Sequence, residues 1–284
     1  MTQPTTTRTE HPTTPLQTPT TVVVGGRGKT GRRVVERLRA KGLPVRPVSP
    51  SAAIPFDWED EASWGPALRG AEALYLTYYP DLAVPGAAEH VRRLSARAVA
   101  EGVRHIVLLA GRGEPQVHPA EDAVRASGAS WTILECAFFM QNFDEGLLAP
   151  QGDTIAFPAG GVREPFIDCD DIADVAVAAL TDPAAHAGQT YELTGPRLLT
   201  FGEATEHLAR ATGRPLRYLP VSFEQYAAAL EGELPPPVVA FFIDLFRFLL
   251  DGHNAHVSPD VERVLGRPAR DFTTFAEAAA GSLR

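Results

Sequence analysis

The chain has only two cysteines and no long apolar run, and each absence excludes a class of protein. Cys136 and Cys169 have neither the number nor the spacing of a disulfide framework or a metal site. We therefore expect a reduced, cytoplasmic protein without a bound metal. The most apolar stretch, residues 238–250, is interrupted by Asp244 and Arg247 and is too short to cross a bilayer. The apolar core of a secretory signal is also missing, so we predict no membrane partner.

Basic residues are in deficit as well. The 284 residues include 26 Lys and Arg against 35 Asp and Glu, a net charge of −9, which argues against nucleic acid as the main partner. The first 21 residues contain ten threonines and four prolines and almost nothing apolar. Because such a segment cannot offset its ordering entropy by burial, we predict a disordered tail over residues 1–20.

The most informative feature that is present is a glycine turn after a run of valines. Residues 22–24 are typical of a buried parallel strand, and Gly25, Gly28 and Gly31 follow at intervals of three before an amphipathic helix. Glycines at such a turn bring backbone N–H groups against a phosphate at the positive end of the helix. The spacing is neither the commonest dinucleotide fingerprint nor a P-loop. We predict a dinucleotide site, while an ATP or GTP site and a purely structural turn remain alternatives.

The first half of the chain alternates between short apolar runs and helical patterns. The apolar runs lie at 44–48, 72–77, 104–110 and 130–135, and the helical patterns between them at 60–69, 86–101 and 118–128. Strands that recur with helices between them imply right-handed crossovers and a parallel sheet covered on both faces. We predict an α/β fold with a doubly wound, Rossmann-type parallel sheet, whose NAD(P)-binding domain spans residues 21–150.

Residues 151–284 have a looser pattern and predict a mixed segment. It contains a helix at 170–180 with Asp170 or Asp171 as its N-cap, a strand at 190–193, and helices near 201–212, 222–231, 236–251 and 272–283. We expect this segment to complete the sheet in part and otherwise to form a small, mainly helical substrate or lid domain. Ligands of doubly wound sheets bind beyond the carboxyl ends of the strands, where such a lid closes.

The region after the second strand favours NADPH over NADH. An NAD site usually has a carboxylate there for the ribose 2′-hydroxyl, but none occurs before Asp57. Arg27 and Lys29 in the glycine turn, together with Ser49 and Ser51, supply donors for a 2′-phosphate instead. Solvated loop charges are the alternative for the two basic residues. For Asp57, the adenine edge and a surface turn are both open.

The order of these features resembles the NmrA-like branch of the atypical short-chain dehydrogenases/reductases. The resemblance rests on GGRGKTG at 25–31, ALRGAEALYL at 67–76, GVRHIVLLAG at 102–111, WTILECAFFMQNF at 131–143 and the tail at 257–275. Members of the branch include NAD(P)H-dependent reductases of quinones and dyes, redox-sensing regulators that bind the dinucleotide without turnover, and tailoring enzymes of aromatic polyketides. The resemblance therefore implies a dinucleotide-binding protein with a small aromatic partner.

The resemblance also implies roles for individual residues. The cofactor would contact Gly25, Arg27, Gly28, Lys29, Thr30, Gly31, Thr77, Ala110, Gly111 and Cys136, besides the Ser49 and Asp57 already considered. The substrate would contact Phe139 and Asn142. Phe138, Phe166 and Phe242, in aromatic-rich regions expected to face the crevice, and Tyr79, a donor for an oxyanion, are further candidate substrate contacts. Plain core packing is the alternative for several of these phenylalanines.

The proton-transfer residues usual in the wider family are missing. Most short-chain dehydrogenases use a Tyr as proton donor and a Lys four residues later, but Lys29 and Lys41 are the only lysines here and neither follows a tyrosine by four. His118, Arg112 and Tyr78 are the candidate catalytic residues. The leading hypothesis is an NAD(P)H-dependent reductase or tailoring enzyme of quinone-like or polycyclic aromatic molecules, monomeric or homodimeric. A non-catalytic NADP(H) sensor and a non-redox rearrangement or coupling enzyme are the alternatives.

Overall fold

A six-stranded parallel sheet forms the centre of the molecule. The computed structural model describes residues 20–283, so the predicted tail lies outside the described residues except for Thr20, which opens the first strand. The strand order is β2-β1-β3-β4-β5-β8. These strands span Thr20–Val24 (β1), Val45–Val48 (β2), Ala71–Leu76 (β3), His105–Gly111 (β4), Ser130–Cys136 (β5) and Gln189–Leu193 (β8). The prediction of a doubly wound, Rossmann-type α/β fold is confirmed.

Helices cover both faces of the sheet, which explains why its central strands β1, β3 and β4 are mostly apolar. One face packs on α2 (Trp64–Leu68), α3 (Ala87–Ala100) and α4 (His118–Arg125), and the other on α1 (Lys29–Ala40), α6 (Cys169–Thr181) and α11 (Asp260–Leu265). In β1, Val22 and Val24 enter the first core and Val23 the second, as the two-residue period of a strand requires. A run of β-branched residues is therefore buried on both sides.

A third core lies beyond the carboxyl ends of the strands. Its elements are α5 (Asn142–Glu145), β6 (Thr154–Phe157), β7 (Arg163–Glu164), β9 (Leu199–Thr200), α8 (Phe201–Thr212), β10 (Arg217–Pro220), α9 (Phe223–Leu230), α10 (Pro236–Leu249) and α12 (Phe272–Ala279). Helix α7 (Pro183–His186) lies beside α6 and β5 of the main sheet. Phe143, Phe157, Phe166, Phe201 and Phe272 are fully buried in it. Edge-to-face contacts join these rings, as between Phe166 and Phe201 at 5.0 Å.

Several short elements escape the sequence pattern. Strands β6, β7, β9 and β10 form two-stranded sheets, β6 with β10 and β7 with β9, and helix α11 has only six residues. None of them is long enough to show a periodic apolar signal. Within residues 20–283, no helix combines the length and the apolar character needed to cross a membrane.

The N-cap of α6 differs from the prediction. Asp168 caps the helix by accepting a hydrogen bond from the Asp170 amide at 2.8 Å, whereas neither Asp170 nor Asp171 does so. Asp171 is fully buried and accepts bonds from Arg267 and Arg270, which tie the C-terminal segment to α6. Sequence spacing could not distinguish these carboxylates because the arginine partners of Asp171 lie almost a hundred residues away along the chain.

Candidate functional site: a glycine turn and an adjoining cavity

The turn between β1 and α1 brings the strand and the helix into close contact. Gly25 adopts a left-handed conformation with φ of +69°, and its carbonyl accepts a hydrogen bond from the Gly28 amide at 2.8 Å. A Cβ at Gly31 would collide with the Gly25 carbonyl oxygen, and a Cβ at Gly26 would lie 2.6 Å from Pro47 Cβ. The turn therefore depends on glycine at these positions, including Gly26, which was not among the predicted contacts.

The start of α1 is suited to an anion. No side chain caps the helix at Gly28, and its first turn contains no acidic residue. The first amides of a helix have no intrahelical partner, and the helix dipole favours negative charge there. Thr30 and Gly31 in this turn are buried, while Arg27 and Lys29 supply positive charge around it.

A cleft of about 760 Å³ lies beside the turn, between α1 and the edge strand β2. Arg27, Arg46 and Ser49 are among its lining residues. Arg27 donates a hydrogen bond to Ser51 Oγ at 2.7 Å, and the Ser49 hydroxyl is buried without a hydrogen-bond partner among the described residues. An unpartnered buried hydroxyl is costly, so the cleft offers a polar ligand a ready donor.

Two predicted cofactor contacts have local partners instead. The Asp57 carboxylate accepts a hydrogen bond from the Glu59 amide at 3.0 Å, and it lines neither the cleft nor the cavity described next. Thr77 Oγ1 donates to the Val24 carbonyl at 3.1 Å and packs against Gly25. The Thr77 side chain therefore packs against the glycine turn and stabilises it. The Asp57 carboxylate stabilises a separate turn at the surface.

A cavity of about 360 Å³ lies at the carboxyl ends of β4 and β5, beneath α10. In the sheet register Gly111 pairs with Cys136, and Cys136 in turn with Leu193, so these strand ends are level. Four predicted cofactor contacts line the cavity: Lys29, Ala110, Gly111 and Cys136. Four predicted substrate contacts line it as well: Phe138, Phe139, Asn142 and Phe242.

The cavity joins the glycine turn through one hydrogen bond. Lys29 Nζ donates to Asn142 Oδ1 at 2.7 Å, and both residues line the cavity. Burial lowers the pKa of Lys29. Behind this pair, Arg32 and Arg33 of α1 bind the Glu145 carboxylate at 2.5 and 3.0 Å. The turn and the cavity wall are thereby fixed to each other.

The predicted catalytic residues are not equally well placed. Tyr78 lines the cavity, but its hydroxyl is hydrogen-bonded to His90 Nδ1 at 2.7 Å. Arg112 also lines it, with its guanidinium bound to Glu192 Oε2 at 2.9 Å and to the Asn254 and His256 carbonyls.

Three other predicted residues do not line the cavity. His118 is exposed at the start of α4, Tyr79 is 81% exposed, and Phe166 is buried in the third core.

Sequence reasoning missed three carboxyl groups that line the cavity, those of Asp81, Glu114 and Glu164. Burial, with Asp81 beside it, raises the pKa of Glu114 to about 8. Burial likewise raises the pKa of Glu164 to about 7, although Arg112 opposes this shift. Glu114 comes three residues after the end of β4. A carboxylate just beyond the carboxyl end of a parallel strand is the sequence feature that could have identified it as a residue of the site.

Burial also decides the state of Cys136. The thiol donates a weak hydrogen bond to the Leu134 carbonyl at 3.5 Å, and burial raises its pKa well above the ordinary value. A thiol held in its neutral form is a poor nucleophile. Cys136 is therefore a wall residue of the cavity.

A glycine turn at the head of a doubly wound parallel sheet, with a cleft and a cavity at the strand ends, defines a dinucleotide-binding protein of the Rossmann class. Within this class the chain belongs to the NmrA-like family, whose family model matches residues 116–278. The resemblance predicted from sequence is thus confirmed.

Two curated relatives and one solved structure illustrate the similarity. The chain is 31% identical to an NAD(P)H azoreductase of Xenophilus azovorans, over 92% of this chain and 98% of the relative. It is 33% identical to a (4-alkanoyl-5-oxo-2,5-dihydrofuran-3-yl)methyl phosphate reductase of Streptomyces griseus, over 90% and 96%. An NADPH-dependent quinone oxidoreductase of Escherichia coli, solved with NADPH, superposes with a TM-score of 0.75 at 22% identity, over 91% and 99% of the two chains.

Proposed function

We propose that this protein is an NADPH-dependent reductase of a planar, quinone-like or polycyclic aromatic small molecule. The observation that carries the proposal is the cavity of about 360 Å³ that adjoins the glycine turn through Lys29 and Asn142. A reductase needs its cofactor and acceptor side by side, and this arrangement supplies neighbouring sites for both. The two curated relatives are named as reductases, which supports an oxidoreductase activity.

The residues of the turn fit a dinucleotide. Gly25, Gly28 and Gly31 leave the backbone open to a pyrophosphate at the uncapped start of α1. Arg27, with the unpartnered Ser49 hydroxyl in the adjacent cleft, suits the additional phosphate of NADPH. NADH, which lacks that phosphate, is the less favoured cofactor.

The walls of the cavity fit a flat apolar acceptor. Phe138 and Phe139 present aromatic surface from the segment after β5, and Phe242, Leu245 and Leu249 line the cavity from α10. Phe242 is stacked on Phe246 at 5.9 Å, which holds its ring in place. Such walls exclude water and orient a ring system by stacking.

Bound NADPH supplies a hydride, and the chain contributes position and environment. Ala110, Gly111 and Cys136 form the floor beside the expected nicotinamide position, at the strand ends. A conjugated acceptor spreads the charge that it gains, so the Tyr/Lys pair of related enzymes is less necessary than for an isolated ketone. The proposal therefore names conjugated acceptors and not simple alcohols or ketones.

The test is steady-state oxidation of NADPH and NADH with a panel of naphthoquinones, anthraquinones and azo dyes. We expect turnover with NADPH and at least one planar acceptor. Phe242→Ala should raise the KM of that acceptor about tenfold, because a cavity wall is removed. Phe241→Ala is the matched control, since the adjacent ring does not line the cavity. Tight NADPH binding without turnover of any acceptor would contradict the proposal and favour the sensing alternative.

A further inference from the structure

Glu114 occupies an unusual position for a carboxyl group. It is 7% exposed, lines the cavity, and among the described residues makes no side-chain hydrogen bond. Its carboxyl packs against the Gly111 backbone, where a Cβ would collide with it. Gly111 ends β4, so the carboxyl lies at the strand end that forms the cavity floor. A buried carboxyl without a partner normally requires a functional reason.

The groups around Glu114 favour its neutral form. Asp81, from the loop after β3, carries a like charge in the same cavity and raises the pKa of Glu114. Among the described residues that line the cavity, the one guanidinium is that of Arg112, which is bound to Glu192. The remaining titratable or charged residues of the lining are Tyr78 from the loop after β3, Cys136 at the end of β5, Glu164 from β7 and Lys29 from α1. Lys29 is directed to Asn142.

The other polar groups of the cavity are less suited to proton transfer. The Tyr78 hydroxyl is bound to His90, and the Arg112 guanidinium holds two backbone carbonyls besides Glu192. Glu164 is 1% exposed on a two-residue strand, and among the described residues its Oε1 has no hydrogen-bond partner. Glu164 therefore lines the cavity from β7 and is almost wholly covered, whereas Glu114 lies at the strand end beside Gly111.

We propose that Glu114 delivers a proton to an anionic oxygen of the molecule in the cavity, and is thereby the proton donor of the reduction. The role of Glu114 as the proton donor of a reduction rests on the proposed function. Asp81 is half-buried and lines the same cavity, so it offers Glu114 a route to solvent protons. Glu114 lies three residues beyond the end of β4. The chain has no Tyr/Lys pair that could supply the proton instead.

For a conjugated carbonyl acceptor, the proposed step transfers one hydride and one proton to the acceptor. A hydride from a dihydronicotinamide bonds to a carbon of the acceptor, and the displaced electron pair of the C=O bond moves to oxygen. The O–H bond of Glu114 breaks while a new O–H bond forms on that oxygen. The acceptor is reduced by two electrons, the dihydronicotinamide is oxidised, and the Glu114 carboxylate takes a new proton from water.

The first experiment compares pH–rate profiles of wild type, Glu114→Gln and Glu164→Gln. In the wild type kcat should be level below about pH 8 and fall tenfold per unit above it, as Glu114 loses its proton. Glu114→Gln should lower kcat by about 100-fold or more, with little change in KM, and remove this limb. Glu164→Gln should keep the limb. An unchanged profile in Glu114→Gln, or loss of the limb only in Glu164→Gln, would overturn the proposal.

The second experiment needs no turnover. The probe is 2,4-dinitrophenolate, which stays ionised through the neutral and alkaline range, titrated into the NADP⁺-loaded protein. In a Glu164→Gln background, which removes the second titrating carboxyl, its Kd should rise tenfold per pH unit above about 8. With Glu114→Gln added, the Kd should be independent of pH. A wild-type protein that binds no dinitrophenolate, or a pH dependence that survives the added substitution, would contradict the role of Glu114.

The two experiments distinguish the two possible failures. Absence of turnover in the wild type contradicts the proposed reduction, and the dinitrophenolate titration then still decides whether protonated Glu114 donates a hydrogen bond to an anionic oxygen in the cavity. NADP⁺ affinity and unfolding temperature of each variant identify any loss of folding. Glu114→Asp is the conservative variant, and a partial return of the alkaline limb with it would support proton transfer over a packing role.

Discussion

The glycine turn and the cavity lie side by side at one edge of the sheet, yet their chemistry is opposite. The turn is surrounded by cations, with Arg27 and Lys29 at the uncapped start of α1. The cavity contains three carboxyl groups, those of Asp81, Glu114 and Glu164, and burial raises the pKa of each. The glycine turn is therefore suited to holding an anion by charge. The cavity is suited to keeping carboxyl groups neutral in an apolar space.

The two regions also differ in how the chain assembles them. The turn consists of consecutive residues between one strand and one helix, with Thr77 and Pro47 as outside supports. The cavity draws on segments from α1 to the loop after α10. A change in the turn should therefore act through local sterics, and a change in the cavity through burial and charge.

The largest expected effect breaks the turn. Gly31→Ala places a Cβ against the Gly25 carbonyl oxygen, so β1 and α1 must move apart. We expect NADPH affinity to fall about 1000-fold, about 4 kcal/mol, measured by fluorescence titration. Gly161→Ala is the control, because open space surrounds that glycine and its φ is not positive. Equal affinity in the two variants would show that the turn does not hold the cofactor.

The turn was predictable from sequence because its chemistry is local. Three glycines at a strand–helix junction predict close packing and a phosphate site, independently of the rest of the sequence. The alternating sheet was predictable for a similar reason, since each strand and helix carries its own period. Asp57 shows the limit of the approach: the sequence left both the adenine edge and a surface turn open for it, and its carboxylate accepts a hydrogen bond from the Glu59 amide in a surface turn.

The cavity carboxyls were not predictable in the same way. Glu114 and Glu164 are fifty residues apart, and nothing in the local pattern says that both lose water on folding. His118, chosen by position along the chain, is exposed. The pKa of a side chain depends on burial and on neighbours from other elements, such as Asp81 for Glu114. A linear sequence does not give these quantities.

The second prediction concerns the cavity and the dependence of protein stability on the protonation of Glu114. The ordinary pKa of Glu114 is 4.5 and its folded value is about 8, so in between the unfolded chain has released a proton that the folded chain keeps. Stability from this group is therefore full below about pH 4.5 and declines as the pH rises to about 8. Glu114→Gln should raise the free energy of unfolding at pH 8 by up to about 4 kcal/mol and change it little at pH 4.

Urea unfolding at the two pH values measures this difference. Glu164→Gln should give a smaller gain, because the pKa of Glu164 rises only to about 7. Glu262→Gln is the control, since this carboxylate is exposed on α11. If Glu114→Gln were no more stable than wild type at pH 8, Glu114 would ionise freely in the folded protein. The contrast between the two ends would then disappear.

The smallest expected effect concerns the cationic end. Arg27 is exposed and lines the cleft with the unpartnered Ser49 hydroxyl, which suits the 2′-phosphate that distinguishes NADPH from NADH. Arg27→Ala should weaken NADPH binding about tenfold, about 1.4 kcal/mol, and leave NADH unchanged. Arg39→Ala is the matched control, because Arg39 lines the same cleft from the last turn of α1.

Salt sharpens this last comparison, since an exposed charge pair weakens as ionic strength rises whereas a steric defect does not. The Arg27→Ala loss should therefore shrink in high salt, and the Gly31→Ala loss should persist. An equal loss of NADPH and NADH affinity in Arg27→Ala would instead assign this guanidinium to the pyrophosphate that both cofactors share. Cofactor preference would then depend on Ser49 and Ser51, and the cationic end would attract anions without selecting between them.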